Sequence, residues 1–199
     1  MMPEGIVLIV ENDPAGVERD LLSGGVLCPW CGGVLAPWSF ARRRVVREER
    51  GPVELRPRRG RCRGCEKTHV LVPDVLLVRR VDAMAVIGRA LRASAEGAGH
   101  RRTAALVGRP FSTVRGWLRR FAAVAARVAV HFLVWAYVLD PNLAAVAPAG
   151  SPVADGVEAI GVAARAASLR LGPRPAWSWA SALSGGRLLS NTNSPWPSP

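Results

Sequence analysis

Cys28-Pro29-Trp30-Cys31 and Cys62-Arg63-Gly64-Cys65 hold all four cysteines of this 199-residue chain. Each pair has the two-residue spacing that lets two thiolates bend around one metal ion and supply half of a tetrahedron. The second pair closes the shell. No position is left open for chemistry, so the metal is expected to fold the chain. The two knuckles stand 30 residues apart, and strand-like sequence fills the gap, which is the pattern of a structural Zn2+ ribbon. Cys31-Gly32-Gly33 places glycines where backbone N–H groups must turn toward sulfur. His69 lies just beyond, but four thiolates complete the shell and His69 sits in an apolar run, so it is expected to stay off the metal.

Outward from the knuckles, Arg44-Val45-Val46-Arg47 and Val53-Glu54-Leu55-Arg56 read as two strands joined around Gly51-Pro52. Residues 68–72 read as a further strand. Upstream, residues 6–10 read as a short strand, and Glu11-Asn12-Asp13-Pro14 as an acidic turn. The expected units are 1–27, an N-terminal strand and turn, and 28–78, the ribbon.

Downstream the period changes from two to 3.6. Residues 81–94 read as a helix with Asp82 as its cap and Val86, Ile87, Ala90 and Leu91 as its apolar stripe. Gly97 and Gly99 break it. A short helix over 101–107, the turn Gly108-Arg109-Pro110 and a third helix capped by Ser112 complete a helix-turn-helix pattern over 79–121. Ala104 fits where two helices touch. Val114, Trp117, Leu118 and Phe121 recur at i, i+3, i+4 and i+7 and face inward, which makes Trp117 a core residue. Ser112, Thr113, Arg115, Gly116, Arg119 and Arg120 fall on the other side, the polar and basic face that a helix entering a major groove requires. Arg109 stands at a turn position commonly filled by an apolar residue.

From 122 to 139 the chain is almost wholly apolar. Leu118, Phe121, Ala125, Val128, Phe132, Trp135 and Leu139 recur every three or four residues, a seam suited to a partner helix or a homodimer. Arg127 and His131 in its middle are costly in lipid, so a buried helix is expected and no membrane partner. Asp140-Pro141-Asn142 stops it. An alanine-rich helix follows over 157–169 within a tail of 122–193, and 194–199 is expected to be disordered.

Charge is concentrated in the middle. Residues 1–41 carry net −4, 42–120 net +14 and 121–199 net +2, within a total of +12. A basic centre of this kind is an electrostatic footprint for a polyanion. All but Lys67 of the 27 basic side chains are arginine, which forks onto phosphate and guanine edges. Arg58 and Arg59 in the ribbon are the candidate phosphate contacts, and Arg101 and Arg102 are further DNA-binding candidates. Catalysis lacks its parts: there is no clustered carboxylate set for two-metal chemistry, no phosphate loop and no Ser/His/Asp set, so the chain is not expected to be an enzyme. The opening apolar run is too short for a secretory leader and is flanked by acids. A reducing cytoplasm is expected, where four cysteines suit metal better than disulfides.

Several pieces together carry a resemblance: Cys28-Pro29-Trp30-Cys31-Gly32-Gly33, Arg61-Cys62-Arg63-Gly64-Cys65, Thr68-His69-Val70-Leu71-Val72-Pro73, Gly99-His100-Arg101-Arg102 and the run from Gly108 to Phe121. The chain resembles an uncharacterised bacterial family of zinc-ribbon plus helix-turn-helix proteins, likened to the DNA-binding parts of insertion-sequence transposases. The resemblance implies DNA binding and no known reaction, since the transposase catalytic domain has no counterpart here.

The expected fold class is α+β, mostly α: a small four-cysteine zinc-ribbon β module, a three-helix helix-turn-helix and an alanine-rich helical tail. The expected function is sequence-specific binding of double-stranded DNA by a transcription-regulator-like protein. The alternatives are an accessory or remnant transposition protein and a zinc-ribbon RNA- or protein-interaction module.

Overall fold

The computed structural model, which describes residues 7–190 and 196–197, assembles the strands into two sheets. The larger contains β1 (Val7–Val10), β2 (Leu35–Phe40), β5 (Arg58–Cys62) and β6 (Thr68–Pro73) in the order β1-β6-β5-β2. β1 runs parallel to β6, and the other pairs are antiparallel. The smaller is the hairpin of β3 (Arg44–Glu48) and β4 (Gly51–Leu55). The strand expected over 6–10 is β1, and Ile6 lies outside the described residues.

The expected acidic turn is a bend over 11–13, and directly after it Pro14 opens a helix that the sequence reading lacks, α1 (Pro14–Ser23). Asp13 caps it by accepting from the Ala15 N–H, and Pro14 opens the first turn, where a missing N–H costs nothing. Val17 and Leu21 of α1 pack with Leu35, Leu71, Cys28 and Cys62 into a small core under the knuckles. The N-terminal segment is therefore structurally part of the ribbon: β1 lengthens its sheet and α1 covers one face. β5 also went unread, because Arg58-Arg59-Gly60-Arg61-Cys62 has no apolar alternation. Its outer neighbours supply the hydrogen bonds that make it a strand.

Five helices follow: α2 (Met84–Ala95), α3 (His100–Val107), α4 (Phe111–Leu139), α5 (Pro152–Leu171) and α6 (Ala176–Leu183). The fold is thus α+β and mostly α, a small sheet with four clustered cysteines ahead of a helical body. Two expected caps are corrected. Ala83 is the N-cap of α2 and Pro110 that of α4, neither with a side-chain bond. Asp82 is instead spent on an ion pair with Arg109, and Ser112 lies inside the first turn of α4. Gly108, at φ +61°, ends α3 in the left-handed conformation that only glycine adopts without strain.

α4 is a single helix of 29 residues, so the basic segment and the apolar stretch are continuous. Val114, Trp117, Phe121, Ala125, Val128, Phe132 and Ala136 form its buried stripe. α5 lies against this stripe through small side chains, Gly156, Ala159 and Ala163 among them, which lets the two helices approach closely. The stretch 122–139 is therefore not buried all round. Its seam is consumed within the chain, except that Trp135 stays 37% exposed, and Val130, Val134 and Val138 face outward. By length and composition α4 would suffice to cross a membrane. Of the end expected to be disordered, 194–199, the structure describes Trp196 and Pro197; Trp196 packs on His131 and Phe132. The rest of that end lies outside the described residues.

Candidate metal centre and basic face

The β2–β5 ladder pairs Leu35 with Cys62 and so brings the second knuckle beside the first. All four sulfurs lie within 4.8 Å of one another. Cys28 and Cys65 are 3.7 Å apart, and Cys31 and Cys62 3.4 Å. A tetrahedron with metal–sulfur bonds of about 2.3 Å has edges of about 3.8 Å, so these separations fit one zinc-sized ion. They are far too long for a disulfide, and all four thiols are free.

The local chain geometry also suits thiolates. Gly64 and Cys65 aim their backbone N–H groups at Cys62 Sγ, at 3.3 and 3.4 Å. The Cys65 N–H in particular, with that of Gly64, draws the Cys62 thiol down to about 6 against the opposing effect of burial. At Cys31 the Gly33 N–H pulls the same way, but the thiols of Cys62, Cys65 and Cys28 outweigh it and push Cys31 up to about 12. One sulfur thus holds charge readily and its neighbour resists a second, as close thiols without a cation between them must. Gly33 leaves little room for a side chain: a Cβ there would stand 3.2 Å from Cys62 Sγ and 3.4 Å from Cys31 Sγ, so the sulfurs would have to give way.

His69 is fully buried, and its Nε2 lies 3.3 Å from Cys28 Sγ. Spacing in sequence did not reveal this contact. It comes from β6 alternation, which turns His69 and Leu71 to the knuckle side of the sheet. A ring nitrogen at that distance orients Cys28 while the four cysteines remain the natural ligand set.

The basic face is built by other elements, α3 and the start of α4. α3 and the first turns of α4 expose Arg101, Arg102, Ser112, Arg115, Arg119 and Arg120, with Thr113 half-buried. None of these arginines makes an ion pair among the described residues. Val114, Trp117 and Phe121 point the opposite way, into the core. The two ribbon arginines are occupied differently from the expectation. Arg58 forks onto Glu18 of α1 at 2.6 and 3.0 Å and donates to Ser39 O at 2.9 Å. Arg59 donates to Thr68 Oγ1 at 3.2 Å. Arg58 is thereby a brace between α1 and the sheet, and its charge is matched by Glu18.

A family model described as a domain of unknown function (DUF6431) matches residues 28–117. The matched span opens on the first cysteine and ends at Trp117 in α4, so it takes in all four thiols, the hairpin and the α3–α4 turn. No curated protein and no solved structure matches the chain.

Proposed function

We propose that this protein is a cytoplasmic, zinc-stabilised, sequence-specific DNA-binding protein of the transcription-regulator type, with no catalytic activity of its own. The observation that carries the reading is the first half of α4. Ser112, Arg115, Arg119 and Arg120 are exposed on one side, while Val114, Trp117 and Phe121 fix the other side in the core. A helix held in this way keeps its basic face in place when it enters a major groove. Unpaired guanidinium groups are free to fork onto guanine O6 and N7. Arg101 and Arg102 on α3 flank that face and supply phosphate contacts, which set register without reading bases. The metal's part is structural: Cys28, Cys31, Cys62 and Cys65 hold Zn2+ and so hold the sheet on which the helical body rests. In this reading a second copy of the chain covers Val130, Val134 and Val138, giving a homodimer with two α4 helices for two half-sites.

Selection of bound duplexes from a random pool tests the reading, followed by two substitutions. Arg115→Ala is expected to cost about 1–3 kcal/mol on the selected site and to relax preference at one position. Arg102→Ala is expected to weaken all sequences alike and to lower the salt slope by about 1. A flat pool, or the same behaviour from both variants, overturns it.

A further inference from the structure

The β3–β4 hairpin is fastened beside the start of α4. The Arg47 N–H donates to Val81 O at 2.8 Å, and the Arg47 carbonyl accepts from the Ala83 N–H at 3.1 Å. Arg47 is thereby the parallel bridge partner of Asp82. Bridge partners send their side chains to the same face of a ladder. Asp82 holds Arg109 of the α3–α4 turn at 2.6 Å, and the Arg109 guanidinium also donates to Arg47 O and Glu48 O, at 3.0 and 3.2 Å. The turn that leads into α4 therefore lies against the hairpin on the face from which the Arg47 side chain leaves.

The register sorts the rest of the hairpin. Val46 and Leu55 turn to the opposite face and pack on the main core. Val45, Arg47, Pro52 and Glu54 share the outer face, and all four are exposed. The one acid of that face, Glu54, is held by Arg43. Arg47 makes no ion pair among the described residues. Val45 and Pro52 beside it are uncharged and let a charged backbone come close. A bare guanidinium next to the start of a basic helix, on a face with no free acid, is placed for a phosphate. We infer that this face of the hairpin is a DNA-binding wing: while α4 lies in the major groove, Arg47 grips a phosphate of the strand that borders the groove. The inference rests on groove reading by α4 and adds a contact from a different element. Arg109 ties hairpin and helix together, so the two contacts are held in fixed register and little ordering is left to pay for on binding.

The test uses the full zinc-loaded chain with a duplex from the random-pool selection and a scrambled duplex beside it. Arg47→Ala is expected to weaken both about tenfold at low salt, to lower the salt slope by about 1 and to leave base preference unchanged. Arg47→Lys is expected to keep the slope and most of the affinity, since a phosphate accepts either cation. Hydroxyl-radical footprinting is expected to show protection lost in Arg47→Ala only at the strand bordering the groove. Circular dichroism and zinc content matched to the parent show an intact fold, as the bonds to Val81, Ala83 and Arg109 use only the Arg47 backbone. A selected site that responds to Arg115→Ala but not to Arg47→Ala, in affinity or in slope, overturns the wing and leaves α4 as the reader. A loss confined to the selected duplex also overturns it, since that assigns Arg47 to a base. A parent chain that binds no duplex overturns groove reading itself, and the wing with it.

Discussion

Arg109 Nε donates to Asp82 Oδ1 at 2.6 Å, and the same guanidinium reaches back to Arg47 O at 3.0 Å and Glu48 O at 3.2 Å. One side chain in the α3–α4 turn thus holds the start of α2 and the end of β3. Both charged side chains are nearly out of water, 13% and 6% exposed. This explains a polar residue at a turn position where an apolar one is common: Arg109 is the joint between the basic helices and the ribbon. Arg109→Ala leaves Asp82 buried without a counter-charge and is expected to cost about 3–5 kcal/mol in urea unfolding. Arg109→Lys is expected to recover only part, since an ammonium cannot fork. Equal stability of the parent and Arg109→Ala would show that the joint carries no weight.

The four thiols predict one zinc per chain. Elemental analysis of protein purified under reducing conditions is expected to find it, and serine at any of the four positions to lose it. Chelation is expected to unfold the ribbon, because no preformed site survives in the unfolded chain. A metal-free protein with a fully ordered ribbon contradicts this.

Arg174 clamps the N-terminal sheet to the tail. It meets Asp74 at 3.2 Å and Glu11 at 2.9 Å and lies over the Trp179 ring. Burial pushes the Asp74 carboxyl above its ordinary 3.8, and Arg174 opposes that rise. A raised carboxyl favours the folded state most below 3.8, and that contribution is lost as pH climbs through the raised value. Removing Arg174 raises Asp74 further. Arg174→Ala is therefore expected to destabilise by about 3 kcal/mol at neutral pH, with a penalty that shrinks as pH falls. Adding Asp74→Asn to it is expected to restore most of the loss and flatten the pH dependence. Unfolding midpoints across pH for the parent and the two variants check the sign.

The two sides of α4 predict different failures. Phe132, fully buried, is part of the core shared with α5, and Phe132→Ala is expected to cost about 3–5 kcal/mol with no change in assembly. Val134 is 57% exposed. Val134→Glu is expected to leave stability nearly unchanged and to convert a dimer into a monomer in sedimentation. A parent chain that is already monomeric at micromolar concentration removes the proposed dimer and leaves the buried stripe untouched.

Much of this was legible in residue spacing. The C-x-x-C pairs named the four thiols that the fold brings together, because a two-residue spacing is what a turn around one metal needs. The period of Val114, Trp117 and Phe121 named the inward face of α4, and Gly108 the end of α3. The helix that starts directly after the acidic turn was not legible: the buried pair Val17 and Leu21 is too sparse to show a period in ten residues. β5 was illegible because its pairing is imposed by β2 and β6.

The sequence by itself determined the four candidate metal-holding cysteines, the basic centre and the helical period, because these depend on neighbours a few residues away and on covalent geometry. The tertiary structure alone decided which charges are spent. Glu18 and Arg58 lie 40 residues apart, Asp82 and Arg109 27, and Asp74 and Arg174 100. It also decided that α5 takes the inner seam of α4 and leaves Val130, Val134 and Val138 outside. An arginine reads the same in a string whether it faces water, phosphate or a buried carboxylate; the desolvation and the partner that separate these cases exist only once distant segments are packed together.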